Sequence, residues 1–169
     1  AGVQSLPRCK SVLMKIGVFP IRRHYYEPQF DHRFPKPDFS QDRNLSGIDW
    51  NVSGQLEVLE KLTFSNELSD IPKEKSKSLE FYMNNGTFQS GDAEYWYQLI
   101  RTVKPKRIFE IGSGNSTLMA INALSKNYDD DPEYKCDHIC IEPYEMPWLE
   151  EAGVSLVRKK VEDVELSFF

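Results

Sequence analysis

The stretch from Lys104 to Leu118, K-P-K-R-I-F-E-I-G-S-G-N-S-T-L, concentrates residues able to hold a small ligand: the carboxylate of Glu110, the glycines Gly112 and Gly114, and the hydroxyls of Ser113, Ser116 and Thr117. Glycine tolerates positive φ and has no side chain, so Gly112 and Gly114 are both expected to let the backbone approach a ligand closely. The residues on either side set the local structure. Ile108, Phe109 and Ile111 form a short apolar run that ends at Gly112, and residues 116–126 take up helical spacing with Leu118, Ile121 and Leu124 on one face. The expected order is strand, glycine turn, helix, with the free N–H groups of the helix start facing the ligand.

A dinucleotide fingerprint runs G-x-G-x-x-G, and its third glycine opens the helix under a pyrophosphate. Here Thr117 holds the third position and Glu110 precedes the first glycine. A carboxylate there repels a pyrophosphate and attracts an ammonium. S-adenosylmethionine carries an ammonium and no phosphate. The stretch E-I-G-S-G-N-S-T resembles motif I of the class I S-adenosylmethionine-dependent methyltransferases, in which the acid and the glycines hold the methionine half of the cofactor. The resemblance implies a cofactor-binding set of Glu110, Gly112, Ser113, Gly114, Ser116 and Thr117. Two other readings stay open: an NAD- or other nucleotide-binding Rossmann protein, and a non-catalytic interaction module with a degenerate cofactor fold.

Residues 138–141 read as a second strand ending at Glu142, and an acid at that strand end can accept hydrogen bonds from both hydroxyls of a ribose. Its separation from the turn exceeds the ~20 residues usual in dinucleotide folds. A loop over residues 127–135, with aspartates at 129, 130 and 131 on a solvated face, accounts for the excess. A third strand over residues 154–157 follows Gly153, and Val161-Glu162-Asp163 comes next. In the family that this chain resembles, an acid just after the third strand contacts the adenine amino group; either Glu162 or Asp163 fits.

The expected fold is therefore α/β, a Rossmann-like doubly wound parallel sheet forming the N-terminal half of a class I methyltransferase domain over residues 79–169. The complete domain of that family has seven strands ordered 3-2-1-4-5-7-6. This chain stops at Leu166-Ser167-Phe168-Phe169, before a fourth strand. The expectation is a truncated enzyme that carries the cofactor half and lacks its catalytic residues. An unpaired edge on the first strand recruits cover, so the N-terminal arm or a second copy of the chain is expected there. The reaction implied is O-methyl transfer to a small-molecule or sugar acceptor.

Residues 1–78 read as an extension. Pro20, Pro28, Pro35 and Pro37 interrupt the first fifty residues, leaving one short element over residues 12–19 and a wrapping segment that includes Arg22, Arg23, His24, Tyr25 and Tyr26. Leu56, Leu59 and Leu62 give helical spacing from about Val52, with Asn51 or Ser53 as cap, and residues 69–78 form a polar linker. Y-Y-E-P near residue 25 and G-I-D-W-N near residue 47 also resemble uncharacterised bacterial members of the family with an N-terminal extension. Asn85-Gly86 marks a turn, and Asp92 is a candidate cap for a helix over residues 93–103 with Tyr95, Leu99 and Val103 on one side and Trp96 and Ile100 beside them.

The composition narrows the partners. Lysine and arginine number 21 against 26 acids, a formal charge of −5, which gives no electrostatic case for nucleic acid or an anionic membrane. No apolar run is long enough to span a bilayer. Cys9, Cys136 and Cys140 are an odd set with no paired framework, which fits reduced thiols and a cytoplasmic location. Cys136, His138 and Cys140 alternate as strand residues do and lack a fourth ligand at a zinc-like spacing, so no metal site is expected.

Overall fold

The computed structural model describes residues 7–18, 40, 46–144 and 146–169. The chain divides into two compact units, Ala1–Asp49 and Trp50–Phe169. In the first unit the described structure is helix α1, Pro7–Lys15, which starts earlier than the element expected over residues 12–19. The cluster at residues 22–26 lies outside the described residues.

The second unit carries helices α2 (Val52–Glu60), α3 (Asp92–Val103) and α4 (Asn115–Asp130) and strands β1 (Arg107–Ile111), β2 (Asp137–Ile141) and β3 (Ser155–Val157). Short 3-10 helices span Ser65–Asp70, Pro147–Glu151, Val161–Asp163 and Leu166–Phe168. The strands form one parallel sheet in the order β1-β2-β3, with Glu110 opposite Cys140 and Cys140 opposite Leu156. Parallel neighbours need a crossover between them, supplied by α4 and then by the turn around Pro147–Glu151. All three strands therefore present their carboxyl ends on one edge. Among the described residues no strand pairs with the outer side of β1; the ring of Phe109, from that strand, packs at 5.8 Å and 5.1 Å from the rings of Phe168 and Phe169.

The core lies where α3 crosses α4 over the sheet, with Phe81, Ala93, Tyr97, Ile100, Ile108, Met119, Ala120 and Ala123 buried. The face of α3 that packs differs from the one expected. Ala93, Tyr97, Ile100 and Arg101 point inward, whereas Tyr95 is 43% and Val103 61% exposed. The periodicity of apolar residues missed this face because one of its members is an arginine. The helix start also differs: Gly91, with φ 95°, is the cap residue, and the Glu94 carboxylate reaches back to its N–H. An acid that accepts the orphan N–H serves the helix start as an aspartate cap would.

The loop expected over residues 127–135 is in part helix, because α4 runs on to Asp130. Arg101 explains the extension. Its guanidinium donates to both oxygens of Glu67 at 2.8 Å, to Asp130 Oδ2 at 2.7 Å and to Asn127 Oδ1, and it lies 4.5 Å from the Phe64 ring centre. The Tyr97 hydroxyl adds a third hydrogen bond to Glu67 at 2.7 Å. This cluster, built on the buried Arg101, Asn127 and Tyr97, clamps Ser65–Asp70 onto α3 and the last turn of α4. Phe64, Leu68 and Ile71 pack on the same core, and Met83 and Asn84 donate backbone hydrogen bonds to Pro72 and Lys73. The unit that holds the sheet thus begins at Trp50, upstream of the boundary read near residue 78. Among the described residues no helix is long and apolar enough to cross a membrane.

Candidate functional site

At the end of β1 the chain turns through Gly112, whose φ of 76° favours glycine. Its N–H donates to Ile141 O at 2.9 Å, so the turn starts while still tied to β2. A Cβ at Gly112 would meet nothing within 4 Å, which leaves open space on the turn's outer side. Gly114 is different. Its φ is 176°, extended backbone that any residue adopts, so the positive φ expected there is absent. The sharp turn is made by one glycine instead of two.

The Thr117 hydroxyl, buried at the start of α4, accepts the Gly114 N–H at 3.0 Å and donates to Glu110 Oε2 at 2.8 Å. Ser116 donates to Glu110 Oε1, and His138 Nε2 lies 3.1 Å from Oε2. Most of the Glu110 carboxylate's hydrogen-bonding capacity is therefore used inside the protein, joining β1, β2 and the first turn of α4. The sequence suggested a carboxylate held out for a ligand ammonium; in the fold it also braces the glycine turn. Burial pushes the neighbouring Cys140 thiol up to about 11.

Glu142 stands at the carboxyl end of β2, facing the same turn. Its Oε2 accepts the Ser113 N–H at 3.3 Å, its Oε1 accepts the Tyr144 N–H at 3.0 Å, and the residue is 7% exposed. Arg158, just past β3, donates to Glu142 O at 3.1 Å and Met146 O at 3.2 Å, and so fixes the loop that follows β2. Glu162 and Asp163 follow β3 in the exposed Val161–Asp163 turn, where Lys160 pairs with Glu162 at 3.8 Å. Lys160 also lies against Tyr144, whose hydroxyl keeps its ammonium above the ordinary lysine range. The fold thus brings Gly112, Ser113, Gly114, Ser116, Thr117, Glu110 and Glu142 together, with Glu162 and Asp163 farther along the same edge.

Over the end of β1 lies a hollow of about 390 Å³, lined by Phe88, Tyr95, Trp96, Phe109, Ile111 and the polar Asp92, Glu110 and Ser116. The backbone of Phe88, one of its lining residues, is held by Asn85, whose role the Asn-Gly turn signal only partly foretold. Asn85 donates to Tyr82 O at 2.8 Å and Phe88 O at 2.7 Å. Its Oδ1 accepts from Phe88 N at 2.8 Å and from Asn115 Nδ2 at 3.1 Å. One side chain closes the loop and ties it to the start of α4. We expect Asn85→Ala to cost about 1–2 kcal/mol, because it strands paired backbone groups. A urea midpoint that does not move would show that this clasp is dispensable.

No protein-family model matches the sequence, and no solved structure matches it. Among curated proteins, an uncharacterised protein from Archaeoglobus fulgidus is 36% identical over 135 residues, covering 76% of this chain and 59% of the relative. The chain therefore spans about three fifths of the length of the relative it matches.

Proposed function

We propose that this chain is the cofactor-binding part of a class I S-adenosylmethionine-dependent methyltransferase that acts on a hydroxyl of a small-molecule or sugar acceptor. The observation that carries the reading is the carboxylate of Glu142, held at the end of β2 within hydrogen-bond reach of the glycine turn that ends β1. An acid so placed can accept hydrogen bonds from a ribose diol. A phosphate would be repelled at the same point.

The donor set suits the cofactor. Gly112 leaves open space beside the turn, and the aromatic hollow over β1 offers apolar walls next to the Glu110 carboxylate. In this reading Glu142 orients the ribose, the turn from Gly112 to Gly114 lies along the methionine portion, Ser116 and Glu110 face its ammonium, and Glu162 or Asp163 reaches the adenine. Bound S-adenosylmethionine supplies an electrophilic methyl group on a sulfonium. The protein's part in such a displacement is mainly positioning, together with a base for the acceptor's proton. Phe88, Trp96 and Phe109 would keep water from the reacting end.

Calorimetric titration with S-adenosylmethionine and S-adenosylhomocysteine tests the reading. The expected result is saturable binding that weakens by about 1–3 kcal/mol in Glu142→Ala, the scale of lost charge-assisted hydrogen bonds. Equal affinity in the two proteins, or tighter binding of NAD by the wild type, would overturn it.

A further inference from the structure

Glu110, His138 and Cys140 form a cluster that the cofactor reading does not use fully. Glu110 and Cys140 are register partners across β1 and β2, and His138 lies two positions back on β2, so all three side chains share one face of the sheet. His138 is 7% and Cys140 0% exposed. The reactive atoms draw close together: Glu110 Oε2 to His138 Nε2 is 3.1 Å, and Cys140 Sγ is 3.7 Å from each of them. The centre of that triangle lies about 2.0 Å from every corner, and a metal ion slightly above its plane would meet the usual ~2.0–2.3 Å lengths of Zn–O, Zn–N and Zn–S bonds.

We propose that Glu110, His138 and Cys140 bind a zinc ion between β1 and β2, beneath the first turn of α4.

The outer shell of the carboxylate is already built. A ligating carboxylate is normally held by further hydrogen bonds, and Glu110 has Ser116 on one oxygen and Thr117 on the other. The mixed oxygen, nitrogen and sulfur set suits a borderline ion better than magnesium or calcium, which prefer all-oxygen shells. His138 Nδ1 is buried without a protein partner, so the outer hydrogen bond of that ligand is the one position of the shell that the protein leaves open. When zinc takes the Nε2 lone pair, the ring proton sits on Nδ1, and the Cys140 thiol gives up its proton. Cys136, which alternates with His138 and Cys140 in sequence, is not in the cluster.

The site goes beyond the methyltransferase reading, and its test needs no cofactor. The 169-residue chain, stripped with a chelator and dialysed, is titrated with Co²⁺ and then with Zn²⁺. The expected result is uptake of one Co²⁺ per chain with a thiolate-to-cobalt charge-transfer band that Zn²⁺ abolishes. Cys140→Ser should lose the band, His138→Gln should weaken uptake by at least ~10-fold, and Cys136→Ser should behave as wild type. Absence of the band in folded wild-type protein overturns the proposal outright, whatever the variants do. A band that persists in Cys140→Ser and vanishes in Cys136→Ser or Cys9→Ser overturns it too, by placing the metal on another thiol.

Discussion

Replacing Arg101 by methionine is expected to destabilise the unit from Trp50 to Phe169 by about 2–3 kcal/mol, the scale of losing charge-assisted hydrogen bonds to acids that stay partly exposed. Arg101 is 2% exposed, and its guanidinium serves Glu67, Asp130 and Asn127 at once. Methionine fills much of the volume but leaves Glu67 facing Tyr97 without a cation and Asn127 Oδ1 without its donor. Lysine should rescue little, since a single ammonium cannot reproduce the two-pronged contact with Glu67. The cluster also sets an acid sensitivity. The Arg101 guanidinium holds Glu67 below the usual carboxylate value of 4.5. A carboxylate whose folded pKa is depressed contributes its stability above the unfolded value, and that contribution is lost as the pH falls through the folded value. Wild-type stability should thus fall steeply as acid reaches Glu67, whereas Arg101→Met should start lower and show a flatter acid limb. Thermal melts of both proteins between neutral pH and about pH 3 check this. Parallel curves would mean that Glu67 is not held by Arg101.

Arg101 also shows where sequence reading stops. The strands at residues 108–111 and 138–141, the glycine turn and the helix before β1 were legible because apolar periodicity and turn residues report local structure directly. What was not legible depends on partners distant in sequence. The buried face of α3 includes an arginine that is tolerated there only because Glu67 and Asp130 arrive from two other elements. The acidic run at residues 129–131 read as a solvated loop for the same reason, although Asp130 ends a helix and binds Arg101. Residues 69–78 read as a polar linker because the 3-10 turn that ends at Asp70 carries no helical periodicity; the attachment of this stretch to the core rests on Leu68, Ile71 and the backbone pairing of Pro72 to Met83. At the site, residue types marked the turn and both acids, but nothing in the spacing separates an acid aimed at a ligand from one that braces the turn.

That distinction for Glu110 can be measured. Glu110→Ala should cost about 3–4 kcal/mol of stability, since charge-assisted hydrogen bonds contribute roughly 1.5–3 kcal/mol each and neighbours in one network do not add fully. The acceptor of Ser116, Thr117 and His138 disappears together, and the buried His138 ring keeps only the weak contact of Nε2 with Cys140 Sγ at 3.7 Å. The loss should reach the glycine turn, because the Thr117 hydroxyl that takes the Gly114 N–H is itself oriented by Glu110. Glu110→Gln keeps the shape but turns an amide N–H₂ toward groups that need an acceptor, so it should fall between the wild type and alanine. Urea unfolding of the three proteins orders them. A residue that served only as a ligand contact would leave the midpoint unchanged and lower affinity alone; a brace lowers the midpoint first, and affinity follows because the turn is no longer preorganised. Glu142→Ala supplies the contrast. Its carboxylate accepts the Ser113 and Tyr144 backbone N–H groups at the glycine turn and in the loop after β2, where the proposed ribose would sit, so its main effect should appear in ligand affinity.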